Sequence, residues 1–173
     1  MSTAAPAITA ETHSKNKPRF FSGVGCWGSL AVIGSSLLLY VIACATPAMV
    51  FDKETWLGIE VLVIGWQGLF LGQLAWFANA FWFVSLLLAF FRRWILTLTA
   101  SFITMLIALD ALSFVGTKVP LDEGFVNTMF FQSYHVGFYF WMASLSIVGV
   151  GALVMWIISI RMSLSQRNAQ TQQ

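Results

Sequence analysis

Residues 56–93, WLGIEVLVIGWQGLFLGQLAWFANAFWFVSLLLAFFRR, constrain this chain more than any other stretch. The run is almost wholly apolar, with Glu60 near its start and Arg92-Arg93 closing it. As one helix, at about 1.5 Å per residue, it would run well past a hydrocarbon core of ~30 Å. Gly58, Gly65, Gly68, Gly72, Ala75 and Asn79 recur along it at helical spacing. Such a seam of small residues predicts a face on which a second helix approaches closely. The expected object is a polytopic membrane protein.

Composition agrees. Apolar residues make up 58% of the 173, charged ones 9%, and the mean hydropathy is +0.80. Soluble domains carry roughly 25% charged residues. A net charge of +2 gives no reason to expect a nucleic-acid partner. Cys26 and Cys44 would lie about 27 Å apart on one helix, too far for a disulfide between them. Thiol redox chemistry is therefore not expected.

The predicted organisation is an all-α membrane protein, a four-transmembrane-helix bundle whose long second helix is kinked or tilted and extended on the outer side. Residues 1–22 read as a disordered cytoplasmic tail with a basic flank of Lys15, Lys17 and Arg19. A single membrane domain covers 23–161, with spans near 24–46, 56–91 (including the outer extension), 94–115 and 130–160. Residues 162–173 form a second polar, cytoplasmic tail. Val41-Ile42-Ala43-Cys44 has a lipobox shape, but the segment before it is long enough to be a retained span. The polar turn at 116–124, GTKVPLDEG, separates the last two spans.

Orientation follows from the basic residues. Four spans put Lys15, Lys17, Arg19, Arg92, Arg93, Arg161 and Arg167 on one side and only Lys53 and Lys118 on the other. Both termini are then cytoplasmic. A five-span alternative puts Arg92-Arg93 outside and is disfavoured. The path of residues 56–71 stays open between lying in the outer interface, re-entering, and extending outward; the unbroken seam favours a tilted helix with an outer extension.

The run from Gly65 to Asn79 followed by an apolar span and Arg-Arg, with the later FQSYHVGFYFWMASLSIVGVGAL, resembles a loose group of small bacterial membrane proteins with four predicted spans. The resemblance covers most of the chain after Leu38. It implies this topology in a bacterial cytoplasmic (inner) membrane, and carries over no catalytic residue.

Ionisable groups inside apolar helices are costly, which singles out Glu60, Asp110 and His135. Brought to one level, they would make an outer-side cluster able to relay protons, hold a divalent metal or recognise a cation. The competing reading is ordinary polar packing, with Asp110 reaching water or Lys118 and His135 meeting a backbone carbonyl. No HExxH-type spacing, nucleophile–base pair or bis-histidine arrangement is present, so no catalytic residue, metal or cofactor is expected. Gln67, Gln73 and Asn79 are candidates for interhelical amide bridges. Aromatic residues from Phe130 to Trp141 suit an interfacial belt or a groove for a lipid or quinone tail. Arg92 and Arg93 read as a cytoplasmic anchor on anionic lipid heads.

The expected function is that of a non-catalytic accessory or structural subunit, packing through the seam on a partner membrane protein or on a second copy of itself. The alternative is a small transporter or channel component, or a lipid- or quinone-binding protein that uses the outer polar cluster.

Overall fold

The computed structural model describes residues 23–116, 118–120 and 128–171. The expected N-terminal tail, part of the 116–124 turn and the last two residues fall outside them. Helix α1 (Gly23–Ala45) ends where the Thr46 hydroxyl turns back to Ile42 O (2.8 Å). Pro47, which has no N–H to continue a helix, opens strand β1 (Pro47–Phe51). A tight turn, Phe51 N–H to Glu54 O at 2.8 Å, leads into β2 (Thr55–Leu57) and the short helix α2 (Gly58–Ile64).

The single long second helix expected over 56–91 does not form. After α2 the chain tightens into a 3-10 helix, Gly65–Leu71, which stops at Gly72 with φ 76°. Gly72 N–H bonds Leu69 O (3.1 Å) and Gln73 N–H bonds Gly68 O (2.9 Å). This paired closure with a left-handed residue is a Schellman stop, and glycine adopts that conformation at no steric cost. A second 3-10 turn, Ala75–Phe77, then starts α3 (Ala78–Phe90). Small residues that looked like one seam thus belong to segments running in different directions.

Helix α3 ends in the same kind of stop. Arg92 N–H reaches Ala89 O and Arg93 N–H reaches Leu88 O, both at 3.0 Å, but the left-handed position is held by Arg92 (φ 58°). Helix α4 (Trp94–Leu109) follows, prolonged by a 3-10 helix, Asp110–Phe114. Strands β3 (Lys118–Pro120) and β4 (Thr128–Tyr134) precede α5 (Val136–Thr171).

The fold is mostly helical, yet it is not all-α. The strands form one antiparallel sheet in the order β2-β1-β4-β3. Residues 130–134, expected at the head of the last helix, are strand: Met129 and Phe131 are buried while Phe130 and Gln132 are exposed, the period-two alternation of a half-buried sheet. Phe51, Met129 and Phe131 form the sheet's core, with Trp56, Phe114 and Tyr134 packed on it. At the other end, α5 continues as helix through the expected polar tail to Thr171.

The long helices alternate in direction. A Cβ on Gly151 would lie 2.4 Å from Val32, and one on Gly137 would lie 2.7 Å from Pro47 O, so α1 and α5 are antiparallel. Helix α3 leaves the sheet end and α4 returns to it, where Asp110 accepts the Leu74 N–H at 2.6 Å. The sheet, α2 and both 3-10 segments before α3 therefore cap one end of the helices, and Arg92-Arg93 lie at the other.

The helices bury small residues inward: Ser36, Ala78, Ser85, Ala89, Thr97, Thr104, Ala108, Ser144 and Ala152 are almost fully enclosed. Leu38, Phe83, Phe90, Leu96, Phe102 and Val150 face outward and are exposed. That pattern inverts a soluble core and suits a lipid surround. Segments Cys26–Ala45, Trp94–Phe114 and Val136–Thr171 are long and apolar enough to cross a membrane, consistent with an integral membrane protein. Helix α3, at 13 residues, is shorter.

Candidate functional site

Where the cap meets the helices, the chain lines a partly open cavity of about 860 Å³. Its walls come from nearly every element at that end. Tyr40, Ala43 and Cys44 close α1; Ala48, Met49 and Trp56 come from the sheet; Gly137, Phe138 and Trp141 open α5. The segment from Gly58 to Phe70 forms one whole side through Val61, Leu62, Ile64, Trp66 and Phe70. Small ligands occupy cavities of about 300–1,000 Å³, mostly apolar with a few polar groups that orient the ligand.

Glycine decides how the wall is seated. A Cβ on Gly58 would fall 2.1 Å from Ala43 O, so only glycine lets α2 start against the end of α1. Helix α2 buries none of its residues fully. What secures the wall instead is the Trp76 indole, which donates to Leu62 O at 2.8 Å and lies 2.7 Å from where a Cβ on Gly65 would stand.

Asn79 is the polar hub of the cavity. Its Oδ1 accepts from Tyr40 OH (3.0 Å) and from Trp141 Nε1 (2.8 Å), and its Nδ2 donates to Trp76 O (2.9 Å). One side chain on α3 is thereby tied to α1, to α5 and to the turn that begins α3. Farther into the bundle, Trp82 stacks on Tyr40 with ring centroids 4.2 Å apart. Its Nε1 donates to Ser36 Oγ at 2.9 Å, and that hydroxyl donates to Ser144 O at 2.7 Å. Asn79 was expected as an interhelical bridge; Tyr40, Trp82 and Ser144 were not singled out. Their signal in the sequence is a polar tip inside an apolar helix, which in lipid has to find a partner.

The sequence-selected ionisable residues each have separate work. Glu60 accepts the Leu57 N–H at 2.7 Å, capping α2. Asp110 holds the Leu74 N–H at the turn into α3. His135 joins cap to bundle through its backbone, with its N–H on Ala48 O (2.9 Å) and its carbonyl accepting from Phe138 (3.1 Å). Lys118 lies over the Phe130 ring, 5.2 Å from its centroid, rather than beside Asp110. Among the described residues, no three His, Cys, Asp or Glu side chains group to hold a metal ion.

The seam residues divide likewise. Gly58, Gly65, Gly68, Ala75 and Asn79 all line the cavity, while Gly72 supplies the reversal beside it. Gln73 and Ser113 exchange side-chain hydrogen bonds at 3.0 and 3.2 Å, linking that reversal to the end of α4. Tyr134, on the neighbouring strand, donates its hydroxyl to Ala111 O. Burial, with the Asp110 carboxylate adding to it, pushes the Tyr134 phenol up to about 12. Arg92 and Arg93 lie at the far end, away from the cavity.

Cavity, polar hub and restrained wall together can hold an apolar molecule and orient one polar end of it. Among the described residues they present no nucleophile with a base beside it. No family model, no curated protein and no solved structure matches this chain.

Proposed function

We propose that this chain is a non-catalytic integral membrane protein that binds a lipid-like small molecule at one end of a four-span helical bundle. The fourth span is α3 with its leading 3-10 turn, Ala75–Phe90. At about 1.5 Å per α-helical residue and 2 Å per 3-10 residue it extends about 26 Å. That is close to the hydrocarbon thickness, and local thinning or snorkelling absorbs the difference. The excess of lysine and arginine opposite the sheet supports an outward-facing cap and cytoplasmic termini, in a bacterial inner membrane.

The observation that carries the binding reading is the 860 Å³ cavity with an asparagine hub. An accessory role is the second reading. Residues 162–171 of α5 are exposed, and an isolated helical extension of that length is marginal in water, which favours a protein partner or a second copy there.

Purification in native nanodiscs, followed by mass spectrometry, tests both. The binding reading expects a stoichiometric lipid-like molecule that is lost when Ala75→Phe fills the cavity. Equal retention by that variant, or no such molecule in either sample, would refute it. A stoichiometric protein partner released on deleting residues 162–173 would establish the accessory role.

A further inference from the structure

Among the described residues, the side chains that line the cavity are uncharged: its polar members are Tyr40, Cys44, Gln67, Gln73, Asn79 and indole N–H groups. Nearby carboxylates are turned to other partners. Glu54 accepts from Trp56 Nε1 at 2.6 Å, Glu60 caps α2, and Asp110 holds Leu74 N–H. An ionic head drawn into such a space would lose hydration and gain no counter-charge from the described lining, an unfavourable exchange.

Asn79 indicates what the space does accept. Two donors converge on its Oδ1, which identifies the oxygen end of the amide. The Nδ2 end has two hydrogens, and one goes to Trp76 O. The second is uncommitted among the described residues, so the hub presents a donor and calls for an acceptor oxygen. The cavity, about 860 Å³ and partly open to its surroundings, has room for an alkyl or isoprenoid chain.

Resting on the lipid-binding reading above, we propose that the ligand is an uncharged single-chain amphiphile whose hydroxyl or carbonyl oxygen accepts from Asn79. Charged amphiphiles of the same length are excluded from the cavity by desolvation.

The thiol of Cys44 lines the cavity, and the other described cysteine, Cys26, is exposed. In the full chain carrying Cys26→Ser, reconstituted in zwitterionic nanodiscs, alkylation of Cys44 by a membrane-permeant maleimide reports occupancy. Hexadecanol is compared with hexadecyl sulfate and hexadecyltrimethylammonium, which keep their charge at every pH. Hexadecanol is expected to slow alkylation saturably, and either charged chain to need at least about tenfold more for equal protection. Asn79→Ala should raise the hexadecanol requirement about three- to tenfold.

Equal protection by all three chains would overturn the neutral-head inference and leave the lipid-binding reading standing. Protection by none would overturn the lipid-binding reading itself. Unchanged hexadecanol protection in an Asn79→Ala protein that unfolds like the parent would overturn the role of Asn79. The three-chain comparison uses the unaltered hub, so it decides the neutral-head question even where Asn79→Ala fails to fold.

Discussion

The bundle and its cap bury side chains by opposite means. Inside the bundle, alanine, serine and threonine let helices approach until a single methyl has no room: a Cβ on Gly151 would stand 2.4 Å from Val32. Where the cap meets the bundle, Trp56, Trp66, Trp76, Phe114, Phe138 and Trp141 meet around a space they do not fill. Rigid rings held by hydrogen bonds, such as Trp76 to Leu62 O and Trp141 to Asn79, cannot collapse into one another as aliphatic chains do. Small residues buy rigidity in one region; large ones leave a chamber in the other.

Overpacking the bundle is the strongest way to break this contrast. Gly151→Leu should destabilise the protein by about 3 kcal/mol or more, seen as a lower midpoint for unfolding in a graded detergent mixture. Gly34→Leu, on the same helix pair but with nothing within 4 Å of its Cβ position, should stay within about 0.5 kcal/mol. Equal effects at the two glycines would mean that the close α1–α5 approach is not what stabilises the bundle.

The two Schellman stops sharpen the comparison at smaller scale. Gly72→Ala forces a Cβ into a left-handed position (φ 76°) and should cost about 1 kcal/mol. Because Gly72 reverses the cavity wall, the same change should also speed maleimide reaction at Cys44. Arg92→Gly removes a side chain from the equivalent position (φ 58°) and should gain up to about 1 kcal/mol, less whatever the arginine contributes through its own contacts. A loss at Arg92→Gly and a neutral Gly72→Ala would show that backbone conformation does not limit either turn.

The smallest effect is expected from pH. The Tyr134 phenol is raised from 10.0 to about 12, by burial first and the Asp110 carboxylate second. A raised value means the folded cap holds its proton more tightly than the unfolded chain does. Its contribution is therefore complete below pH 10 and lost as pH rises from there through about 12. Solvent screening of this half-exposed group keeps the effect modest. Cysteine accessibility in the cavity should rise across that window, and Tyr134→Phe should remove the step. An identical step in Tyr134→Phe would assign the loosening to another group.

Much of the bundle could be read directly from the residues. Helices α1 and α4 are long apolar runs, and in lipid a chain satisfies its backbone polar groups by forming helices. The cap could not be read the same way. Phe130, Phe131 and Tyr134 suit either a helix or a strand, and a short apolar run does not distinguish the two by periodicity alone. Pairing with β1, Met49 with Tyr134 and Phe51 with Phe131, selects the strand. Asn79 was visible as a polar residue needing a partner, but its donors, Tyr40 and Trp141, lie 39 and 62 residues away.

Sequence by itself determined the long apolar helices, because composition and run length act without reference to any distant residue. Tertiary structure alone decided that residues 56–77 double back as a wall, that four short strands cap the helices and that Asn79 centres a cavity. Each of those depends on a close approach between segments far apart in the chain. Gly58 against Ala43, Trp76 on Leu62 and Asp110 on Leu74 are contacts whose free energy exists only once both partners are in place.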